Sequence, residues 1–454
     1  MSSRTISSDE QRKRMLTTPI PRLTLELSVP TVASQLVSVI YNTADTWFVS
    51  QISTSASAAV GVAFSLMSII QAFGFGIGLG AGSLVSLRMG EKKDKEAEVY
   101  ASSGFFAAIL LGAVIAVSGL CFLKPLMCIL GSTDTMLPYS CAYARYILAA
   151  APVMCGAFVL SCILRSEGES SLAMWGICSG GLLNAALDPL LIFTLKMGIS
   201  GAALATAISQ AVSFIILLSA FLSGRSILKL SVKNVSRKAR VYGRIILTGV
   251  PTICRQGIAS VASAALNVQA AFYGDAAVAG VTIANRVYWL VRNIIIGIGQ
   301  GFQPIAGFNF GAGNKKRTRE AFVFACIAGT AVCVVSAALT ALFPDEIMGW
   351  FRDDAQVIEI GRTALLLACA VMPLMAYSTF VNQLYQSLGF KLAASVLASC
   401  RQGIFFLPLI FIAPRFVGLF GVQMSQPGAD LLTFFVSIPF QISFFRKHLS
   451  DNNA

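Results

Sequence analysis

Four polar side chains in the first half of the sequence are of types that bind a proton or a small cation. Asp45 lies in the apolar stretch LSVPTVASQLVSVIYNTADTWFVS (27–50), and Asp188 in GLLNAALDPLLIF (181–193). An ionised carboxylate at the centre of a bilayer costs roughly 2.5–3.5 kcal/mol even on the mildest scale, so an acid retained there reads as functional. Asn184 stands four residues before Asp188 and shares its helix face, one turn away. Thr206, in GAALATAISQ (201–210), adds a hydroxyl. Together they make an oxygen-rich site for a proton or a sodium ion. Two close carboxylates in low dielectric resist ionising together, so Asp45 and Asp188 are expected to titrate as a unit. The bland alternative is an acid held by a structural partner; no arginine of the first half is expected at that depth, which favours function.

These residues share a depth only if the segments carrying them cross a membrane. The chain has 454 residues, 56% hydrophobic and 12% charged, about half the charge of a soluble protein. Apolar runs long enough to span fall at 24–50, 57–87, 97–123, 139–162, 171–195 and 199–222, then at 242–271, 277–306, 320–343, 356–386, 391–413 and 416–445. The predicted fold is therefore an all-α integral membrane protein of twelve transmembrane helices in two six-helix lobes. Lys and Arg concentrate in one set of loops, at 88–95, Arg165, 225–240, 315–319 and Lys391. The positive-inside rule then predicts a multi-pass protein of the cell (inner) membrane with both termini cytoplasmic. On that topology Asp45 lies about five residues, and Asp188 and Thr206 about seven, from the outer ends of their spans, within about one helical turn of one another.

The formal charge of +13 is explained by these loops and by contact with anionic membrane lipid, so no nucleic-acid partner is expected. Eleven cysteines are scattered through apolar segments without metal-ligand spacing, and the one histidine, His448, is near the C-terminus. No metal or cofactor is predicted apart from the coupling ion. The polar first twenty residues show no cleavable signal pattern. GFGIGLGAG (74–82) lies within a span, has no following GKS or GKT, and reads as close helix packing rather than a phosphate loop. YGD (273–275) falls in an outer loop without a partner acid, and neither GxSxG nor HExxH is present, so no enzyme is predicted.

The two halves repeat. VPTVASQ (29–35) returns as VPTICRQ (250–256), so that Pro30 and Pro251 are 221 positions apart, as are Pro152 and Pro373, and Gly168 and Gly389. MGEKKDKEA (89–97) stands beside AGNKKRTREA (312–321). The expected organisation is an N-lobe over 1–222, a basic cytoplasmic linker over 223–241 and a C-lobe over 242–454. With an even number of spans each, the lobes are expected to be related by a pseudo-two-fold axis along the membrane normal. Pro30, Pro152, Pro189, Pro251 and Pro373 are expected to kink their helices, because each removes a backbone hydrogen bond. Gln35, Tyr41, Asn42, Gln256, Arg255, Arg401 and Asp430 are candidates for lining a cavity between the lobes.

The chain resembles the multidrug and toxic compound extrusion (MATE) family over its whole length. The resemblance rests on Pro30 with the NxxD of Asn42–Asp45, the NxxxDP of Asn184–Pro189, the GAALATAISQ segment and the paired basic loops. It implies an efflux antiporter with alternating access for drugs or metabolites, driven by protons or sodium and acting as a monomer on small molecules. By position, Asp45, Asn184, Asp188 and Thr206 match the N-lobe ion site of the DinF-like branch. The NorM-like branch carries acids in its seventh and tenth helices, whereas 242–271 and 360–386 here hold none. The C-lobe instead is expected to bury Arg255, Arg286, Arg292 and Arg401, with Asp430 its one deep acid. The preferred reading is a structural network in which Asp430 pairs one arginine and backbone carbonyls hold the others. The sharper reading is a positive cavity wall that favours anionic or zwitterionic cargo. A lipid-linked oligosaccharide flippase is the alternative function; a major facilitator transporter ranks lower, because SLRMGEKK (86–93) lacks the aspartate expected before its RxG.

Overall fold

In the computed structural model, which describes residues 7–52, 54–352 and 354–449, twelve long helices carry almost the whole chain and no strand occurs among the described residues. The first lobe comprises α1 (Ile20–Ser50), α2 (Thr54–Gly90), α3 (Asp94–Cys121), α4 (Leu137–Ser166), α5 (Ser170–Pro189) and α6 (Ile199–Leu222). The second comprises α7 (Ala239–Ala271), α8 (Asp275–Gly311), α9 (Lys315–Leu342), α10 (Ala355–Ser387), α11 (Lys391–Ser399, continued by Leu407–Val417) and α12 (Leu419–His448). Eleven of these are long and apolar enough to cross a bilayer. The other, α8, spans 37 residues but is diluted by Arg286, Arg292, Asn293, Gln300, Gln303 and Asn309. Its polarity has a structural reason: Arg292, Asn293 and Gln300 face a central cavity rather than lipid.

The repeat extends beyond the motifs. A short helix follows α3 (Leu123–Ile129) and another follows α9 (Pro344–Phe351), beginning 221 positions apart. Gly168 and Gly389 both take positive φ, +90° and +79°, where each chain turns into its lobe's fifth helix. Glycine is favoured there because a Cβ is strained in that region. Pro30, Pro152, Pro251 and Pro373 all lie inside their helices. Pro189 ends the regular part of α5, and the chain widens into a π turn over Leu190–Thr194, with the Leu195 amide bonding the Leu190 carbonyl at 2.9 Å.

The lobes meet through the halves of α1, α2, α7 and α8 nearer the termini and the linker. The Ser28 hydroxyl donates to the Ile298 carbonyl at 3.1 Å, and the Thr31 hydroxyl to the Gly297 carbonyl at 2.6 Å. A Cβ on Gly249 would run into the Gly76 carbonyl, so the glycine permits the α2–α7 crossing. Toward the other end the same helices line a cavity, on whose wall Ser65, Ser260, Ser263 and Asn267 are exposed. The molecule is thus closed at the linker end and open at the opposite one.

The closed end adds one element and changes one expectation. The polar N-terminus contains a helix, Ser8–Thr17, opened by a capping box between Ser7 and Glu10. It straps both lobes: Arg12 pairs with Asp94 at 2.8 Å, Gln11 donates to the Glu167 carbonyl at 2.9 Å, and Asn309 and Arg317 reach the Met15 and Thr18 carbonyls. Arg165, expected in a loop, is in the last turn of α4 and only 5% exposed. It donates to the Gln300 side chain of α8 across the cavity floor.

Candidate functional site

The N-lobe cluster forms where α1, α4, α5 and α6 converge. Asp45, Asn184, Asp188 and Thr206 are all buried, and Asp188 lies within electrostatic range of Asp45. The i, i+4 spacing places the Asn184 amide 3.4 Å from an Asp188 carboxylate oxygen; the same nitrogen lies 3.3 Å from the Thr206 hydroxyl. That hydroxyl donates to the Ala202 carbonyl at 3.1 Å, so its lone pairs face the cluster. Asp45 Oδ1, Asp188 Oδ2 and Asn184 Oδ1 are buried with no hydrogen-bond partner among the described residues. Orphaned buried acceptors are costly. Three of them in one cluster suit a proton or a hard cation, since an oxygen-only set offers no soft ligand.

Sequence reasoning missed Tyr143. It enters from α4, is fully buried, and its hydroxyl faces Asp45 and Thr206. Its sequence signal was depth: Tyr143 lies about one turn from the outer end of its span, as Asp45 does. Asn184 and Thr206 reach the cavity wall with Gln35, Tyr41 and Asn42, while Asp45 and Asp188 stand behind it.

The cavity between the lobes has two connected parts of about 210 and 540 Å³, which share Gln71, Gln256, Trp289 and Arg292. Gln256 and Arg255 line it, as does Arg401. Asp430 does not: it is 1% exposed and sits behind Arg401. There Arg401 and Tyr288 both bond its carboxylate, Gln426 adds a bond at 3.3 Å, and the guanidinium lies 5.6 Å from the Tyr288 ring centroid. Arg401 projects from a π turn, Cys400–Phe406, of the kind often found at functional sites.

The rest of the expected arginine network is absent. Arg255 and Arg292 make no hydrogen bond or ion pair among the described residues; no backbone carbonyl holds them, and both face the cavity. Arg286 is exposed rather than buried. Asn285, Tyr288 and Arg292 occupy one face of α8, at spacings of three and four, and Arg286 lies off it.

Comparison with known proteins gives a consistent result. The family model MatE matches twice, over residues 30–190 and 251–412. The chain is 26% identical over 447 residues to multidrug export protein MepA of Staphylococcus haemolyticus (strain JCSC1435), covering 98% of each. It is 25% identical over 425 residues to the MepA of Staphylococcus aureus (strain NCTC 8325 / PS 47), covering 93% and 94%. Among solved structures, a MATE in complex with MaL6 superposes with a TM-score of 0.91 at 24% identity, covering 95% of this chain and 98% of that one. The outward-facing conformation of a multidrug resistance MATE family transporter of the MOP superfamily also gives 0.91, at 23% identity, covering 98% and 99%.

Proposed function

Since the chain belongs to the MatE family of membrane transporters, and is a multi-pass membrane protein rather than an enzyme, we propose that it is a secondary active efflux antiporter. It exports drug-like molecules or metabolites in exchange for protons or sodium, by alternating access, as a monomer in the cell membrane with both termini cytoplasmic. The observation that carries this reading is the N-lobe cluster: Asp45, Asp188 and Asn184 each hold a buried oxygen without a partner, beside Thr206 and Tyr143. With the basic loops in the cytoplasm, the open end of the cavity faces outward.

The chemistry follows from the position of the cluster. Asn184 and Thr206 form part of the cavity wall, and the two acids lie immediately behind them. A proton or sodium ion satisfies the orphaned oxygens and removes or offsets charge between α1 and α5. Release leaves that charge buried, which favours a different packing of the two helices. Pro30 in α1 and the π turn after Pro189 in α5 are the points at which the backbone can yield. Cargo and ion then bias one conformational equilibrium, which is the requirement for exchange. This assignment is of the DinF-like kind, with coupling confined to the N-lobe.

The test is transport in proteoliposomes, with pH and sodium gradients imposed separately and a fluorescent dye as cargo. Asp45→Asn and Asp188→Asn should each keep the fold and abolish gradient-driven efflux, and the double variant should be little worse than either. Full efflux by a well-folded double variant would move the coupling site elsewhere.

A further inference from the structure

The charged side chains on the cavity wall are all cations. Arg165 marks the floor, Arg255 and Arg292 the middle and Arg401 the C-lobe side, and among the described residues no Asp or Glu lines either part of the cavity. Arg165 is bonded to Gln300, and Arg401 is largely neutralised by Asp430 behind it, although Arg401 Nη1 is buried without a partner. Arg255 and Arg292 make no hydrogen bond or ion pair among the described residues, and each lies within electrostatic range of Arg401. Guanidinium groups gathered with no acid between them repel one another and any cation that enters. Such an arrangement is stabilised when something negative comes to it, and the planar, weakly hydrated guanidinium matches the oxygens of carboxylate, phosphate or sulfonate.

The rest of the wall supplies a second half to the recognition. Trp289 is 48% exposed and lies one turn from Arg292 on α8, so it presents its ring to both parts of the cavity. Phe75 and Phe158 pack at 4.4 Å between ring centroids on the opposite side. Aromatic faces beside free arginines fit a flat apolar body that bears an anionic group.

We propose that the cavity recognises amphiphilic organic anions through Arg255 and Arg292, with Arg401 as a supporting charge, and not lipophilic cations. The inference rests on the transporter reading above and names its cargo class. Because Asp45 and Asp188 lie behind the wall, anion and coupling ion do not compete for the same atoms. Their linkage runs through the arrangement of the lobes.

The test uses a pair of probes with one shape and opposite charge, 2-naphthoate and 2-naphthylmethylammonium. Binding to the full-length protein in phosphatidylcholine nanodiscs is measured by calorimetry, without any gradient. Naphthoate should bind at least tenfold tighter than the ammonium, and the preference should fall with added salt. Arg255→Gln and Arg292→Gln should each reduce the preference about tenfold, and Arg255→Lys should retain most of it. Equal or tighter binding of the ammonium by the wild-type protein overturns the inference whether or not the variants fold. So does a preference unchanged in well-folded Arg255→Gln and Arg292→Gln. Replacing phosphatidylcholine by phosphatidylglycerol separates two sources of the anion: lost naphthoate binding assigns the site to a lipid headgroup, and retained binding to a free solute. Selective anion binding without gradient-driven exchange would remove the antiporter reading and leave this one standing. Coupled export of the ammonium would do the reverse.

Discussion

Arg165 of α4 donates to the side-chain oxygen of Gln300 on α8, and this bond crosses from one lobe to the other at the floor of the cavity. Both residues are buried there, and Arg165 is further held by the Ser161 carbonyl at 3.2 Å and the Ser161 hydroxyl at 3.0 Å. The Gln300 bond is the part that depends on the lobes being closed at the linker end. A hydrogen bond from a charged group contributes about 1.5–3 kcal/mol. Gln300→Ala should therefore shift the population away from this conformation by roughly tenfold or more, while leaving each lobe folded. Spin labels at Ser65→Cys and Ser263→Cys, on opposite walls of the open end, should report a larger short-distance population once Cys121 and Cys128 are replaced by serine. An unchanged distance distribution would show that the bond does not govern closure.

Tyr143 gives a sharper probe of the ion site than the acids themselves. Tyr143→Phe keeps the ring and its packing and removes only the hydroxyl that faces Asp45 and Thr206. Coupled efflux should fall by about tenfold, the equivalent of one buried hydrogen bond. Residues acting in one network are non-additive, so Tyr143→Phe should cost little more in a Thr206→Ala background. Additive losses would place Tyr143 outside the coupling unit.

Much of this architecture was legible because membrane spans and duplication leave strong marks. The 221-residue offset of Pro30 and Pro251 recurs in helices that carry no motif, beginning at Leu123 and Pro344. The depth count placed Asp45, Asn184, Asp188 and Thr206 at one level, and they meet in one cluster. What the sequence hid depends on azimuth and on local backbone. Arg286 and Arg292 look alike in the sequence, yet one is exposed and the other is on the cavity wall. Arg401 owes its direction to a π turn that hydrophobic patterning does not reveal. The N-terminal helix opens on a capping box between Ser7 and Glu10 that sequence reasoning passed over, and its partners, Asp94, Glu167 and Asn309, come from both lobes and cannot be read from its own residues.

The Arg401–Asp430 pair should be structural first. Removing one member of a buried ion pair leaves an uncompensated charge and typically costs 3–5 kcal/mol, whereas removing both is far milder. Arg401→Gln should lower folded yield strongly, because Asp430 then keeps only Tyr288 and Gln426. Arg401→Gln with Asp430→Asn should recover most of it. Size-exclusion profiles and thermal melts in detergent decide the matter. A double variant no better than Arg401→Gln alone would mean that the pair matters for shape rather than charge.

The last prediction concerns pH and the closed end. Glu167 lies just past α4, is fully buried, and receives the Ile227 amide at 3.0 Å; its oxygens lie 2.9 Å from the Ser226 hydroxyl. Burial pushes its carboxyl from an ordinary 4.5 up to about 8, against the lowering effect of the bonds from Ser226 and Ile227. The protonated form is well accommodated: Ser226 also reaches the Leu228 carbonyl at 3.1 Å, so it can donate there while accepting from Glu167. Between about 4.5 and about 8 the folded protein therefore holds a proton that the unfolded chain has lost. Stability from this group is fully present below the unfolded value and declines as pH rises through the folded one, by on the order of a few kcal/mol in total. The melting temperature in detergent should accordingly fall between pH 5 and pH 8.5, and Glu167→Gln should flatten that slope and be the more stable protein at the alkaline end. Gln11 binds the Glu167 carbonyl, so the N-terminal helix should loosen along the same pH range. Proteolysis within residues 7–18 should then accelerate above pH 8 in the wild-type protein and not in Glu167→Gln. Identical melting slopes for the two proteins would show that Glu167 stays ionised in the fold.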